Sequence, residues 1–272
     1  MTTSLFTYTL QFADDALILG QRNAEWTGHG PVLEQDIAIT NIALDLLGQA
    51  RPLYQFAADQ YNAFSGEEKA AVDHLIPRPW KGFGRELQED DLAFLRDEHQ
   101  YRNHLLVELP RGDWAYSVLR QFFFSAYQHL LYTELLNSEQ EALRGVAEKA
   151  VKEVAYHLRW SAEWVIRLGD GTDESQQRIR QALNEIWPFT GELFQVLRYE
   201  TEAGIDVSRM KEAWYHKVND VLSEALLLQE DKALTEPTWF QSGGKEGRHT
   251  EYMGYLLAEM QHLQRTIPNA TW

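Results

Sequence analysis

The sequence predicts an all-α protein that folds as an up-down helical bundle with additional helices. Apolar residues recur at steps of three and four, for example at Leu10, Ala13 and Leu17, as is typical of amphipathic helices. Helices of about 25 residues joined by short turns imply antiparallel packing in a bundle. No stretch shows the sustained alternation of a strand. No linker or low-complexity segment divides the chain, so residues 1–272 are predicted to form a single domain.

Glycine, proline and capping residues place the helices along the chain. Pro31 opens the second helix and Pro110 ends the third, while Asp173 with Gln176 resembles a capping box for the sixth. Pro188 should kink that sixth helix. The other helices are predicted at residues 5–26, 32–61, 67–74, 90–109, 113–137, 139–168, 208–230 and 249–266, with a final loop at 231–248.

Composition excludes several functional classes. The net charge of −16 argues against nucleic acid and anionic membranes, both of which attract positive patches. The chain has no cysteine, which excludes disulfides, iron–sulfur clusters and thiol nucleophiles. No apolar stretch of about 18 residues and no signal peptide are recognisable, so a cytoplasmic location is predicted.

Three predicted helices carry carboxylates on otherwise apolar stripes, where burial is costly unless the charge is paired or bound to metal. The stripe of the second helix contains Glu34, Asn41, Asp45 and Gly48. The stripe of the third contains Phe94, Glu98, Tyr101, Leu105 and Glu108. The stripe of the fifth contains Val146, Ala150, Glu153, His157 and Trp164.

Two of these stripes contain half of a metal-binding motif. A di-iron carboxylate bundle uses Glu-x-x-His on each of two helices, plus single Glu residues on two others. Here Asp45 is followed by Gly48 where His is required, and Glu153 is followed by Tyr156. His157 lies four residues after Glu153, still on the same face. The pattern predicts a ferritin-like fold whose ligand positions have degenerated.

The fourth predicted helix supports that interpretation. Its inward candidates are Gln121, Ser125 and Gln128, and amides are poor iron ligands beside carboxylates. A polar core network without metal is therefore predicted, and a mononuclear or unusual metal site is the alternative.

Two further features could bind ligands or partners. Gly243, Gly244 and Lys245 precede a predicted helix whose free N–H groups could hold an anion; a packed structural loop is the alternative. His99 and His104, five residues apart, are expected at the surface or in an interface.

Several stretches together resemble the C subunits of bacterial phenylacetyl-CoA epoxidases, which are multicomponent ring-epoxidising oxygenases. The Asp-Leu-Leu-Gly-Gln-Ala-Arg run at 45–51 and the Gly-Gly-Lys loop carry most of the resemblance. The matching stretches are residues 8–10, 25–29, 42–51, 92–98, 106–108, 152–159, 168–173, 243–245 and 257–261.

The resemblance implies a non-catalytic structural subunit with no cofactor of its own. It implies a ferritin-like A subunit that holds the di-iron centre and pairs with this chain, a small B subunit, and a reductase that binds transiently. It also implies that phenylacetyl-CoA binds near the A–C junction, close to Gln100, Tyr101, Arg102 and Asn103, although Tyr101 and Arg102 depart from the family pattern. Ordinary interface residues are the alternative for this segment.

Two other functions stay open at this point. The chain could itself be an active di-iron oxygenase or oxidase with substituted ligands. It could also be a free-standing homodimeric storage or binding bundle. Iron content and co-purification with an iron-bearing partner separate these alternatives.

Overall fold

The computed structural model describes residues 2–228 and 232–270, and within these ranges the chain forms helices and turns with no strand. The predicted all-α fold is confirmed. The α-helices, in chain order, are α1 (Thr3–Ala24), α2 (Leu33–Ala63), α3 (Gly66–Val72), α4 (Glu89–Phe94), α5 (Leu105–Glu108), α6 (Trp114–Leu135), α7 (Glu141–Gly169), α8 (Asp173–Ile186), α9 (Arg198–Glu202), α10 (Lys211–Glu224), α11 (Glu251–Met260) and α12 (His262–Thr266).

Four long helices form the bundle. α1 packs along α2, α6 packs along α7, and contact between α2 and α7 joins the two pairs. The inner face of α7 follows helical spacing, with Val146, Ala150, Val154 and His157 all buried. α8 and α10 cover the α6–α7 pair on its other side. This arrangement is consistent with a ferritin-like bundle that carries additional helices.

The predicted third helix over 90–109 is wrong. α4 ends at Phe94, a 3₁₀ turn covers Glu98–Gln100, and the single turn of α5 begins only at Leu105. Phe94, Glu98, Tyr101, Leu105 and Glu108 therefore do not share one helical face. We name this irregular stretch, residues 95–104, the buried segment.

Carboxylates from α1 explain why the buried segment is not helical. Asp14 accepts a hydrogen bond from the backbone N–H of Arg102 at 2.8 Å, and Asp15 accepts one from the backbone N–H of His104 at 2.8 Å. A buried backbone N–H group needs a hydrogen-bond acceptor. Here the acceptors are side-chain carboxylates instead of the carbonyl groups of a helix. The guanidinium of Arg96 also pairs with Asp14, with both side chains fully buried.

Other helix boundaries shift for local reasons. Thr172 rather than Asp173 caps α8, since its hydroxyl accepts from the backbone N–H of Ser175 at 3.2 Å. α8 ends before Pro188 instead of continuing with a kink. The predicted seventh helix is shorter than expected, and its last positions, 229 and 230, lie outside the described residues, as does residue 231 of the final loop.

Among residues 2–228 and 232–270, no helix is both long enough and apolar enough to cross a membrane.

Candidate functional site

Two pairs of polar side chains lie between α2 and α7. His157 is fully buried, and its Nε2 lies 2.9 Å from Oδ2 of Asp45. One turn earlier on α7, Glu153 accepts a hydrogen bond from the amide of Gln49 at 3.0 Å. The hydroxyl of Tyr132 on α6 donates to Oε1 of Gln49 at 2.9 Å. These bonds join α2, α6 and α7, while no described residue bonds to Nδ1 of His157.

The two helices contribute differently to this network. The α7 stripe predicted from the sequence does face inward at Val146, Ala150 and His157. The α2 stripe faces mostly outward, because Glu34, Asn41 and Gly48 are exposed while the side chain of Asp45 remains 36 % accessible. The inward polar residue of α2 is Gln49, which is 3 % exposed.

The positions where a di-iron protein would carry His are both open to the surface. A Cβ added to Gly48 would meet nothing within 4 Å. Tyr156 is exposed, with its ring centroid 6.3 Å from that of His157 and the Arg159 guanidinium 5.7 Å from its centroid. Neither position faces the gap between the helices where metal ligands would have to meet.

The residues at the centre do not fit a two-iron site. Across the described parts of the chain, no group of three His, Asp or Glu side chains lies close enough together to hold a metal ion. On α6, Gln121 accepts from Asn23 at 2.7 Å and donates to Ser125 at 2.8 Å. Gln128 is 1 % exposed, and no described residue bonds to either atom of its amide. These neutral groups stand on the inner face of α6 in place of carboxylates.

The Gly-Gly-Lys loop is closed around two carboxylates of the protein itself. Oε1 of Glu192 accepts from the backbone N–H groups of Gly243 and Gly244 at 2.7 and 2.9 Å. Lys245 is 1 % exposed and its Nζ lies 2.8 Å from both carboxylate oxygens of Glu200. The two backbone N–H groups and the ammonium group of this loop are therefore engaged by carboxylates of the same chain.

The segment predicted near the substrate is folded into the core. Gln100, Tyr101, Arg102 and Asn103 are all buried. The amide of Gln100 donates to the carbonyl of Ile76 at 2.8 Å, and the guanidinium of Arg102 donates to the carbonyl of Tyr101 at 2.7 Å. The hydroxyl of Tyr101 donates to the carbonyl of Ala93 at 2.7 Å. Their polar atoms hold this part of the chain in place.

Several important polar residues are not singled out by the sequence. They are Gln49, together with the buried carboxylates Asp14, Asp15, Glu192 and Glu200. For the first two carboxylates a signal exists, because adjacent aspartates interrupt an apolar stretch of α1. His104, expected at the surface or in an interface, is fully buried against Asp15 within this chain.

Comparison with known proteins supplies the remaining observations. A family model described as "Phenylacetic acid catabolic protein" matches residues 1–272. A curated relative, the C subunit of 1,2-phenylacetyl-CoA epoxidase from Escherichia coli (strain K12), is 41% identical over 274 residues, which cover 98% of this chain and 99% of the relative.

Proposed function

Because the chain belongs to the phenylacetic acid catabolic protein family, we propose that it is a non-catalytic subunit of a phenylacetyl-CoA epoxidase. In this role it binds no iron and pairs with a related ferritin-like A subunit that holds the di-iron centre. A small B subunit and a transiently bound reductase complete the assembly. The E. coli relative is named as the C subunit of such an epoxidase, and this name supports the assignment.

The pairing of Asp45 with His157 carries the proposal. The His on the inner face of α7 directs its Nε2 to a carboxylate of α2 at 2.9 Å, and Glu153 is engaged by an amide at 3.0 Å. The Nε2 of His157 and the carboxylate of Asp45 are thus engaged by each other without a metal, while no described residue bonds to Nδ1 of the same ring. The centre of the bundle can then stay rigid while oxygen chemistry takes place in the partner.

An apolar surface on α2 supports the pairing with another subunit. Leu33, Ile37 and Leu44 are 72%, 51% and 60% exposed and follow one helical stripe. Val32 precedes this stripe and is exposed, and Tyr156 of α7, which is exposed as well, precedes the His157 that bonds to Asp45 of α2. Exposed apolar residues that form a continuous surface mark protein interaction sites. We define Val32, Leu33, Ile37, Leu44 and Tyr156 as the α2 face and propose that the A subunit binds there.

Phenylacetyl-CoA is proposed to bind at the junction of the two subunits. Residues 100–103 would contribute by fixing the shape of their part of this chain, since their side chains bond internally. A rigid subunit that covers the junction would exclude water without supplying a catalytic group.

Co-expression with the A subunit tests the proposal. We expect the two chains to co-purify and epoxidation to require both. Leu44→Asp should abolish co-purification without lowering the thermal stability of the isolated chain, because it places a charge in the α2 face. Leu263→Asp, at a residue 47% exposed on α12, is the matched control and should leave the complex intact. Full epoxidation by the A subunit and reductase without this chain would contradict the proposed role.

A further inference from the structure

A second polar cluster lies between α1, α6 and the buried segment. It comprises Tyr8 and Asp15 of α1, His104 of the buried segment and Tyr127 of α6, each no more than 2 % exposed. The ring Nδ1 of His104 lies 2.9 Å from Oδ2 of Asp15. Because a carboxylate only accepts hydrogen bonds, Nδ1 carries the proton, and in the neutral ring Nε2 presents a lone pair.

Tyr127 packs against this imidazole. The rings of His104 and Tyr127 are 5.4 Å apart between centroids and meet edge to face at 71°. Burial raises the pKa of both Tyr8 and Tyr127 well above the usual value, and the carboxylates of Glu200 and Asp15 raise it further. Both phenols therefore stay protonated and can donate hydrogen bonds.

Tyr8, Tyr127 and His104 each have one buried polar atom without a hydrogen-bond partner among the described residues. No described residue bonds to the hydroxyls of Tyr8 and Tyr127 or to Nε2 of His104, and all three atoms are shielded from bulk solvent. An unsatisfied buried polar group costs about 1–3 kcal/mol, so native proteins rarely leave one without a partner. The carboxylate of Asp15 pairs with His104 and also raises the pKa of both phenols, so the two donors and the one acceptor share this carboxylate as a neighbour.

We propose that ordered water is bound between Tyr8, Tyr127 and His104 as a structural part of the bundle. A water molecule can accept hydrogen bonds from both phenols and donate one to Nε2, which matches the roughly three bonds that buried waters make. The site does not depend on the subunit assignment, because it uses only groups inside this chain. The bound water would connect α1, α6 and the buried segment through hydrogen bonds.

A high-resolution crystal structure of the full chain, with thermal unfolding of matched variants, tests the site. Electron density for a water bonded to His104 Nε2 and at least one of the two phenols is expected. Tyr127→Phe and Tyr8→Phe should each lower Tm by about 2–4 °C, because a bonded hydroxyl is removed. The double variant should lose less than the sum, because both hydroxyls bond to one water.

Tyr101→Phe is the reference variant, because that hydroxyl donates to a protein carbonyl at 2.7 Å and its removal should lower Tm in the same way. Direct bonding of a tyrosine hydroxyl to His104 without intervening water would overturn the proposal. So would a Tyr127→Phe variant that is as stable as the unaltered chain or more stable, since removing an unbonded buried hydroxyl relieves a cost.

Discussion

His157 on α7 and Asp45 on α2 are hydrogen-bonded at 2.9 Å, with the imidazole fully buried and the carboxylate partly exposed. This pair joins the two halves of the bundle at the level where a di-iron protein would hold its metal ions. The bond connects an inner side chain to the outer edge of α2 beside Leu44. It therefore couples the centre of the fold to the proposed partner surface.

Removing the buried member of this pair should destabilise the chain more than removing the partly exposed member. We expect His157→Ala to lower the free energy of unfolding by about 1–3 kcal/mol, because it leaves a gap and an unpaired carboxylate. Asp45→Asn should cost less than about 1 kcal/mol, because the amide oxygen can still accept a hydrogen bond and the position is partly solvated. Urea unfolding of both variants measures the two losses in the free energy of unfolding. Equal losses would contradict the greater burial of His157.

Two glycines in long helices should respond in opposite ways to alanine. A Cβ at Gly169 would lie 2.0 Å from the carbonyl oxygen of Ala225, where the ends of α7 and α10 meet. Gly169→Ala should therefore cost about 1–3 kcal/mol by overpacking. Gly48→Ala, at a position with nothing within 4 Å, should instead stabilise the isolated chain by about 0.5–1 kcal/mol through helix propensity. Thermal unfolding of both variants and of the unaltered chain measures the two effects. A destabilised Gly48→Ala variant would contradict the open space at this position.

Sequence reasoning locates the long helices well because each has one apolar face and clear ends. It finds α1, α2, α6 and α7 within a few residues, and the inward stripe of α7 with them. These features depend on local periodicity, which a single sequence contains.

The buried segment could not be predicted in the same way. Its conformation depends on Asp14 and Asp15, whose partners are 88 and 89 residues away along the chain. The apolar spacing at 90–109 is compatible with a helix, and only the fold shows that carboxylates take its backbone N–H groups. The same long-range pairing explains why local spacing gives no sign that His104 is buried or that Gln49 faces inward.

Removing the cation of the buried ion pair in the Gly-Gly-Lys loop should destabilise the chain far more than removing the cation of an exposed ion pair. Lys245→Met leaves the fully buried carboxylate of Glu200 without its cation, and a loss of about 3–5 kcal/mol is expected. Arg198→Met removes a pair of 2.6 Å with Glu202 on the exposed side of α9 and should have a far smaller effect, because solvent screens this pair. Adding Glu200→Gln to Lys245→Met should restore part of the stability. Failure of that rescue would contradict a charge-based loss.

Stability should depend on pH through His249. Burial lowers the pKa of this imidazole, but its 2.6 Å hydrogen bond to Glu108 and the charge of that carboxylate raise it more, so the net shift is upward from 6.5. A raised pKa in the folded state means that the contribution is fully present below the unfolded value and is lost as pH rises through the folded value.

The comparison of His249→Gln with the unaltered chain checks this sign. The stability advantage of the unaltered chain should be largest below about pH 6.5 and should shrink as the pH is raised above it. His216→Gln is the control, because His216 pairs with Asp220 at an exposed site, with side chains 79% and 61% accessible. An advantage for His249 that grows with rising pH would contradict the raised pKa.

Iron content per subunit is the most direct test of the central claim, which is that side chains rather than metal fill the middle of this bundle. The chain should be purified with its A subunit, the two proteins separated under native conditions, and the iron in each quantified. The account predicts about two irons in the A subunit and none above background in this chain. About two irons in this chain, bound near Asp45 and Glu153, would contradict it.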